Sequence, residues 1–154
     1  MNSETSCVPV SFLTLPGLKY KRRGQMDVRE AIRHADALLP GEPSPPDEID
    51  PRWQAILQVA HSIEAEPDVI WTFVERWGRH PQEDLRDAIA TVLLEHLLEY
   101  HFDWIFPRVR ELASTDALFS DTFRRCYKFG QAEHPKNARR FDDLMADCEI
   151  RRIR

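Results

Sequence analysis

Asp84-Leu85-Arg86-Asp87-Ala88-Ile89-Ala90-Thr91-Val92-Leu93-Leu94-Glu95-His96-Leu97-Leu98-Glu99-Tyr100 contains neither proline nor glycine. At 100° per residue it puts Leu85, Ile89, Val92, Leu93, His96 and Tyr100 on one side of a helix, with Ala90, Leu94, Leu97 and Leu98 on a second apolar flank. Apolar residues thus cover more than half the circumference, the pattern of a helix packed between neighbours in the middle of a domain. The remaining strip is acidic, with Asp84, Asp87, Glu95 and Glu99 along it beside Thr91 and no Lys among them.

On both sides of this stretch the hydrophobic period stays helical, and proline and glycine fall where helices start and stop. A first helix is expected within residues 26–39, with Ile32, Ala35 and Leu39 at helical spacing. Residues 40–50 carry Pro40, Pro43, Pro45 and Pro46 and read as an extended linker. Asp50-Pro51 supplies an N-cap and a first-turn proline for a helix to about residue 65, with Trp53, Ile56, Leu57, Ala60 and Ile63 on its apolar face. Pro67 opens the next, ended at Gly78, and Pro81 opens the long one. A helix capped by Asp103 is expected to hold Pro107 in its first turn and fade near Ser114. Another runs from Thr115 or Asp116 to a stop at Gly130, and Pro135 starts the last, with Ala138, Phe141, Leu144 and Met145 inward. The four tryptophans, Trp53, Trp71, Trp77 and Trp104, are expected in or near the core. The fold class is all-α, and residues 51–148 form its main helical domain, followed by a basic tail at 149–154.

There is an internal echo: Asp68-Val69-Ile70-Trp71 recurs as Asp103-Trp104-Ile105-Phe106, and Gln54-Ala55-Ile56-Leu57 resembles Asp87-Ala88-Ile89-Ala90, at offsets of about 33–35 residues. Asp84-Leu85-Arg86-Asp87-Ala88-Ile89-Ala90, following a helix and Pro81, resembles the second-helix signature of HEAT-type repeats over roughly residues 50–130. Asp121-Thr122-Phe123-Arg124 departs from that pattern. The resemblance implies a short stack of antiparallel helix pairs serving as a binding scaffold, a minority of such proteins binding DNA or removing damaged bases. A compact, irregular helical bundle is the alternative.

The 154 residues carry 42% hydrophobic and 31% charged side chains, the balance of one ordinary globular domain. No apolar run approaches the roughly 20 residues needed to cross a bilayer. The net charge of −5 argues against a general nucleic-acid binder. Its distribution is lopsided: residues 26–103 hold 17 acidic and 6 basic side chains, residues 104–154 hold 8 and 11, and residues 1–25 hold 1 and 4. Cys7, Cys126 and Cys148 contain no C-x-x-C pair, so neither a disulfide framework nor a zinc site is expected and a reducing cytoplasm fits. In residues 1–25 the positive run 19–23 follows the mildly apolar stretch, the wrong order for a secretory signal. That segment reads as a flexible basic arm, or as sequence ahead of a start at Met26.

The acidic strip Asp84, Asp87, Glu95 and Glu99 admits two readings. It is a solvated face neutralised by Arg108 or Arg110, or a ridge that docks a basic partner protein. The second is the functional expectation, its concrete version being a neutraliser of a cationic toxin or nuclease. His96 with Glu99 suggests a small enzyme as an alternative, but His101 points about 140° away, so no metal or other cofactor is expected, and His96 reads as a core histidine. Arg124, Arg125, Lys128, Lys136, Arg139 and Arg140, interleaved with Tyr127 and Phe129, form an alternative basic surface that could grip phosphates and stack on bases.

Overall fold

The computed structural model describes residues 26–153, so both readings of residues 1–25 lie outside the described residues. The elements are α1 (Val28–Leu38), α2 (Pro51–Ala60), α3 (Pro67–Trp77), α4 (Glu83–Ala88), a π-helical segment (Ile89–Leu94), α5 (Glu95–Thr115), α6 (Ala117–Arg124), a 3-10 turn (Gly130–Glu133) and α7 (Pro135–Ile153). The class is all-α, with no strand among the described residues. No helix there is long and apolar enough to cross a membrane. The starts follow from the caps: Asp27, Asp50 and Asp116 accept from the backbone N–H of Arg29, Arg52 and Phe119, and Pro51 and Pro67 occupy first-turn positions.

The arrangement fits a compact bundle gathered around the α4–π–α5 helix, whose π segment touches α2, α3, α4, α5 and α6. Leu85, Ile89, Leu93, Leu94, Leu97 and Leu98 are wholly buried, as a mid-domain helix requires. Phe102 stacks on Phe106 with centroids 4.7 Å apart, Trp71 meets Phe119 edge-on at 5.9 Å, and Phe123 meets Phe141 at 4.8 Å.

The long helix departs from the sequence expectation in its phase. A π turn closes its hydrogen bonds over five residues instead of four, so side chains beyond it are set back by about one residue, or 100°, on the wheel. Glu95 therefore takes the apolar flank and is 5% exposed, while the side chain of His96, expected in the core, swings onto the strip and is 43% exposed.

The helix also breaks at His101 (φ −135°, ψ 40°). Gln131 holds the two ends: its amide nitrogen donates to the Tyr100 carbonyl (2.7 Å) and its amide oxygen accepts from Phe102 N–H (2.9 Å). His101 itself bonds through Nε2 to the Ile63 carbonyl at 3.1 Å. Because the helix resumes immediately after His101, Pro107 stands in its second turn, not its first, and leaves the Asp103 carbonyl without its helical donor.

Other boundaries shift too. The second helix stops at Ala60 and gives way to turns, α6 stops at Arg124 well short of Gly130, and α7 continues through Ile153 across most of the expected tail. Trp71 is buried and Trp53 and Trp77 half-buried, but Trp104 is 56% exposed, its indole N–H on Asp68. Gly130 has φ +49°, where a side chain is strained, and an added Cβ would lie 2.7 Å from Glu99 Cγ.

Gln131→Ala is expected to lower unfolding stability by about 1–2 kcal/mol, because both exposed ends of the broken helix lose their partner. Gln131→Glu, which keeps the acceptor for Phe102 and loses the donor for Tyr100, should fall between it and the natural protein. Urea unfolding followed by circular dichroism reads both.

Candidate interaction surface

The acidic strip is organised by arginines that the sequence places far from it. Arg52, 2% exposed, lies at the start of α2 and donates to Asp50 (2.7 Å), Asp84, Gln82 Oε1 (3.1 Å) and the Gly41 carbonyl (3.2 Å). One buried guanidinium thereby joins the linker, α2 and α4. Arg86, also buried, donates to Asp121 of α6 (2.9 Å) and to the His80 and Pro81 carbonyls (both 2.8 Å). Arg125 reaches Glu83 (2.9 Å), Asp87 and Asp121 (2.8 Å), and Arg124 reaches Asp121 (3.1 Å) and Glu149 (2.6 Å).

The Arg52 guanidinium holds the Asp50 carboxyl below its ordinary range, against the opposing effect of burial. Burial pushes Asp121 up, but the hydrogen bonds from Arg125 and Arg86 outweigh it and the net shift is downward. Arg125 likewise stays charged, burial being overcome by Glu83, Asp87 and Asp121.

Between the linker and the first turns of α4 lies an open hollow of about 520 Å³, lined by Glu42, Pro43, Gln82, Glu83, Asp84 and Asp87. Glu42, Asp50, Glu83, Asp84, Asp87 and Asp121 are six carboxylates set around three guanidiniums, those of Arg52, Arg86 and Arg125, which leaves a local charge of −3. Arg124 and Arg152 bring only Glu149 with them, which lowers the excess to two carboxylates.

The four strip residues do not form one ridge. Asp84 and Asp87 line the hollow, whereas Glu95 points inward and accepts from Tyr127 N–H at 2.8 Å. Glu99 bonds His96 Nδ1 at 2.6 Å and lies against Gly130. The reason is the π segment, which divides the strip between its second and third members. Nor do Arg108 and Arg110 neutralise it: Arg108 pairs with Asp68 at 2.8 Å and stacks over Trp104.

The alternative basic surface is largely occupied from within. Arg124 and Arg125 belong to the network above, Lys128 pairs with Asp142, and Arg140 pairs with Asp103 at 2.8 Å while covering the Phe102 and Phe106 rings. Among the described residues Lys136 and Arg139 make no ion pair, and Tyr127 and Phe129 are exposed.

His96 and Glu99 do come together. The imidazole stacks on Phe129 (6.3 Å) and lines a hollow of about 320 Å³ with Ala60, His61, Ile63, Glu64 and Tyr100. A carboxylate-held imidazole can exchange a proton, but no serine or cysteine lines this hollow. Among the described residues no cluster of three or more His, Cys, Asp or Glu could hold a metal ion. Asp103 is taken by Arg140 and His101 by Ile63, so neither joins His96.

Arg52, Glu42 and Glu83 were not singled out by the sequence. The available signal was Asp50-Pro51-Arg52 recurring as Asp84-Leu85-Arg86, each arginine bonded to an aspartate 32 or 35 residues on. No family model matches the chain, and neither a curated protein nor a solved structure matches it.

Burial raises the Glu95 carboxyl above its ordinary value, the Tyr127 N–H opposing this in part. With the folded pKa above the unfolded one, the burial penalty is absent at low pH and grows as pH rises through the folded value. Glu95→Gln keeps an acceptor for Tyr127 and carries no charge. It is expected to be more stable than the natural protein at pH 8, with the gap closing as pH falls, while Glu95→Ala is less stable than Glu95→Gln throughout. Thermal unfolding across pH 4–8 checks the order.

Proposed function

We propose that the protein is a binding module for a cationic partner protein, which it takes at the hollow between the linker and α4. The excess of carboxylates over guanidiniums around that hollow carries the reading. Oppositely charged groups on a partner would find Glu42, Glu83 and Asp87 still partly exposed, with Arg52 buried behind them. Because the same arginines hold Asp84 and Asp87 in place, the acidic surface is fixed before contact and little ordering is required on binding. A basic toxin or nuclease with a cationic cleft is the partner class that such a surface suits. The enzyme reading has the His96–Glu99 pair in its favour and no nucleophile beside it. The nucleic-acid reading retains Lys136 and Arg139 with the exposed Tyr127 and Phe129.

The test uses the full chain as bait against a lysate of its source cells, comparing it with Glu42→Lys/Glu83→Lys. Among the described residues Glu42 makes no ion pair, and when the 72% exposed Glu83 is reversed Arg125 keeps Asp87 and Asp121, so a thermal midpoint close to the natural protein's is expected of the variant. A partner of high pI should be retained by the natural chain, released by moderate salt, and bound at least tenfold more weakly by the variant, mainly through a slower association rate. Lys136→Glu/Arg139→Glu, which shifts the net charge the opposite way on α7, serves as control for the place of contact. Loss of binding in the control but not in the hollow variant would place the contact on α7 and end this reading.

A further inference from the structure

Residues 26–103 contain six basic side chains, all arginine. Arg52 and Arg86 are buried in the network, and the four exposed ones are Arg29, Arg33, Arg76 and Arg79. Three of these four, Arg29, Arg33 and Arg76, line a single groove of about 390 Å³ between α1 and α3. Its geometry follows from two ion pairs. Arg29 at the beginning of α1 meets Glu66 at the beginning of α3 (3.3 Å), and Asp36 near the end of α1 accepts from Arg76 (2.5 Å) and from the Trp77 indole N–H (2.8 Å) at the end of α3. The two helices therefore run side by side in the same direction. Each has 11 residues, so the groove is about 16 Å long, three turns of a helix.

The bottom of the groove is apolar. Ile32 and Val69 are half-buried there over Phe73. Arg29 and Arg76 are matched by Glu66 and Asp36, but Arg33, midway along, makes no hydrogen bond or ion pair among the described residues. An apolar trough with an unmatched guanidinium at its centre is complementary to a helix carrying apolar side chains on one face and carboxylates beside them. We propose that the α1–α3 groove docks an acidic amphipathic helix of a partner protein. Apolar residues at i, i+3, i+4 and i+7 would lie over Ile32, Val69 and Phe73, and a carboxylate would meet Arg33. Residues 1–25, with four basic side chains and one acidic, carry the wrong charge for this groove. The groove shares no lining residue with the acidic hollow, so the proposal stands apart from the function proposed above.

Two synthetic helical peptides test it, both with leucine at i, i+3, i+4 and i+7, one with glutamate and one with lysine at the flanking positions. Titrated into the full chain, the glutamate peptide should shift the Ile32 and Val69 methyl resonances saturably and the lysine peptide should not. Arg33→Glu should weaken the glutamate peptide at least tenfold and Arg33→Gln by less, whereas Glu42→Lys should leave it unchanged. Arg33 is exposed and unpaired, so unaltered thermal midpoints are expected for both Arg33 variants. Methyl resonances unmoved by the glutamate peptide, or binding indifferent to Arg33→Glu, would overturn the proposal. Self-association of the natural chain that Arg33→Glu abolishes would assign the groove to a second copy and overturn it equally.

Discussion

The buried guanidinium of Arg52 is the interaction on which the arrangement of the N-terminal half depends. It lies where α1 has ended, the linker turns and α2 begins, and it reaches across to α4. Arg52 keeps other acceptors when either carboxylate is removed, and Asp84 is 38% exposed, so the cost of losing one partner falls below the about 3–5 kcal/mol of a fully buried pair. The network is therefore better understood as fixing geometry than as supplying stability. Its members join the starts of α2 and α4 to the end of α1 and the linker through directional bonds, which apolar packing does not supply.

Arg86 repeats the device one helix pair later. In both cases an aspartate two residues earlier caps or opens a helix, and the arginine reaches an aspartate of the following unit. Past Asp121 the pattern changes. Two consecutive arginines, Arg124 and Arg125, converge on that aspartate, one continuing to Glu149 and the other turning back to Glu83 and Asp87. Asp121 is thus a junction at which three cations share one carboxylate, and against burial, which raises its pKa, the bonds from Arg125 and Arg86 bring it below its ordinary value.

Most of the fold was legible because it rests on local rules. Asp50 and Asp116 became caps, although Asp103, expected to cap, lies inside α5; the proline-rich 40–50 segment joins α1 to α2 without a helix, and the apolar faces of α3 and α4 became core. The site was less legible, for two reasons. Ion pairing between residues more than 30 positions apart has no periodic signature, so Arg52 and Arg125 could not be matched to Asp84 and Asp87 in advance. And the wheel assumes an uninterrupted 3.6-residue turn. Nothing in Ile89-Ala90-Thr91-Val92-Leu93-Leu94 violates helix propensity, yet that assumption fails there, and with it the assignments of Glu95 and His96 exchanged.

The place of the π segment is intelligible from what surrounds it. An unbroken helix would keep Leu97 and Leu98 on the second flank and His96 on the main apolar face, pointing an imidazole into the core beside Leu93. Setting the downstream residues back by one instead carries Leu97 inward, brings His96 to the surface against Phe129, and leaves Glu95 as the polar group to be buried. A carboxylate inside needs a donor, and Tyr127 N–H supplies it. That bond ties the segment after α6 to the central helix just where Gly130 passes close to Glu99 and Gln131 spans the break at His101. The wide turn, the buried glutamate, the positive-φ glycine and the broken helix thus satisfy one another. The wide turn, the buried carboxylate and the broken helix are each unfavourable alone, and the glycine adopts without strain the positive φ that this crossing requires.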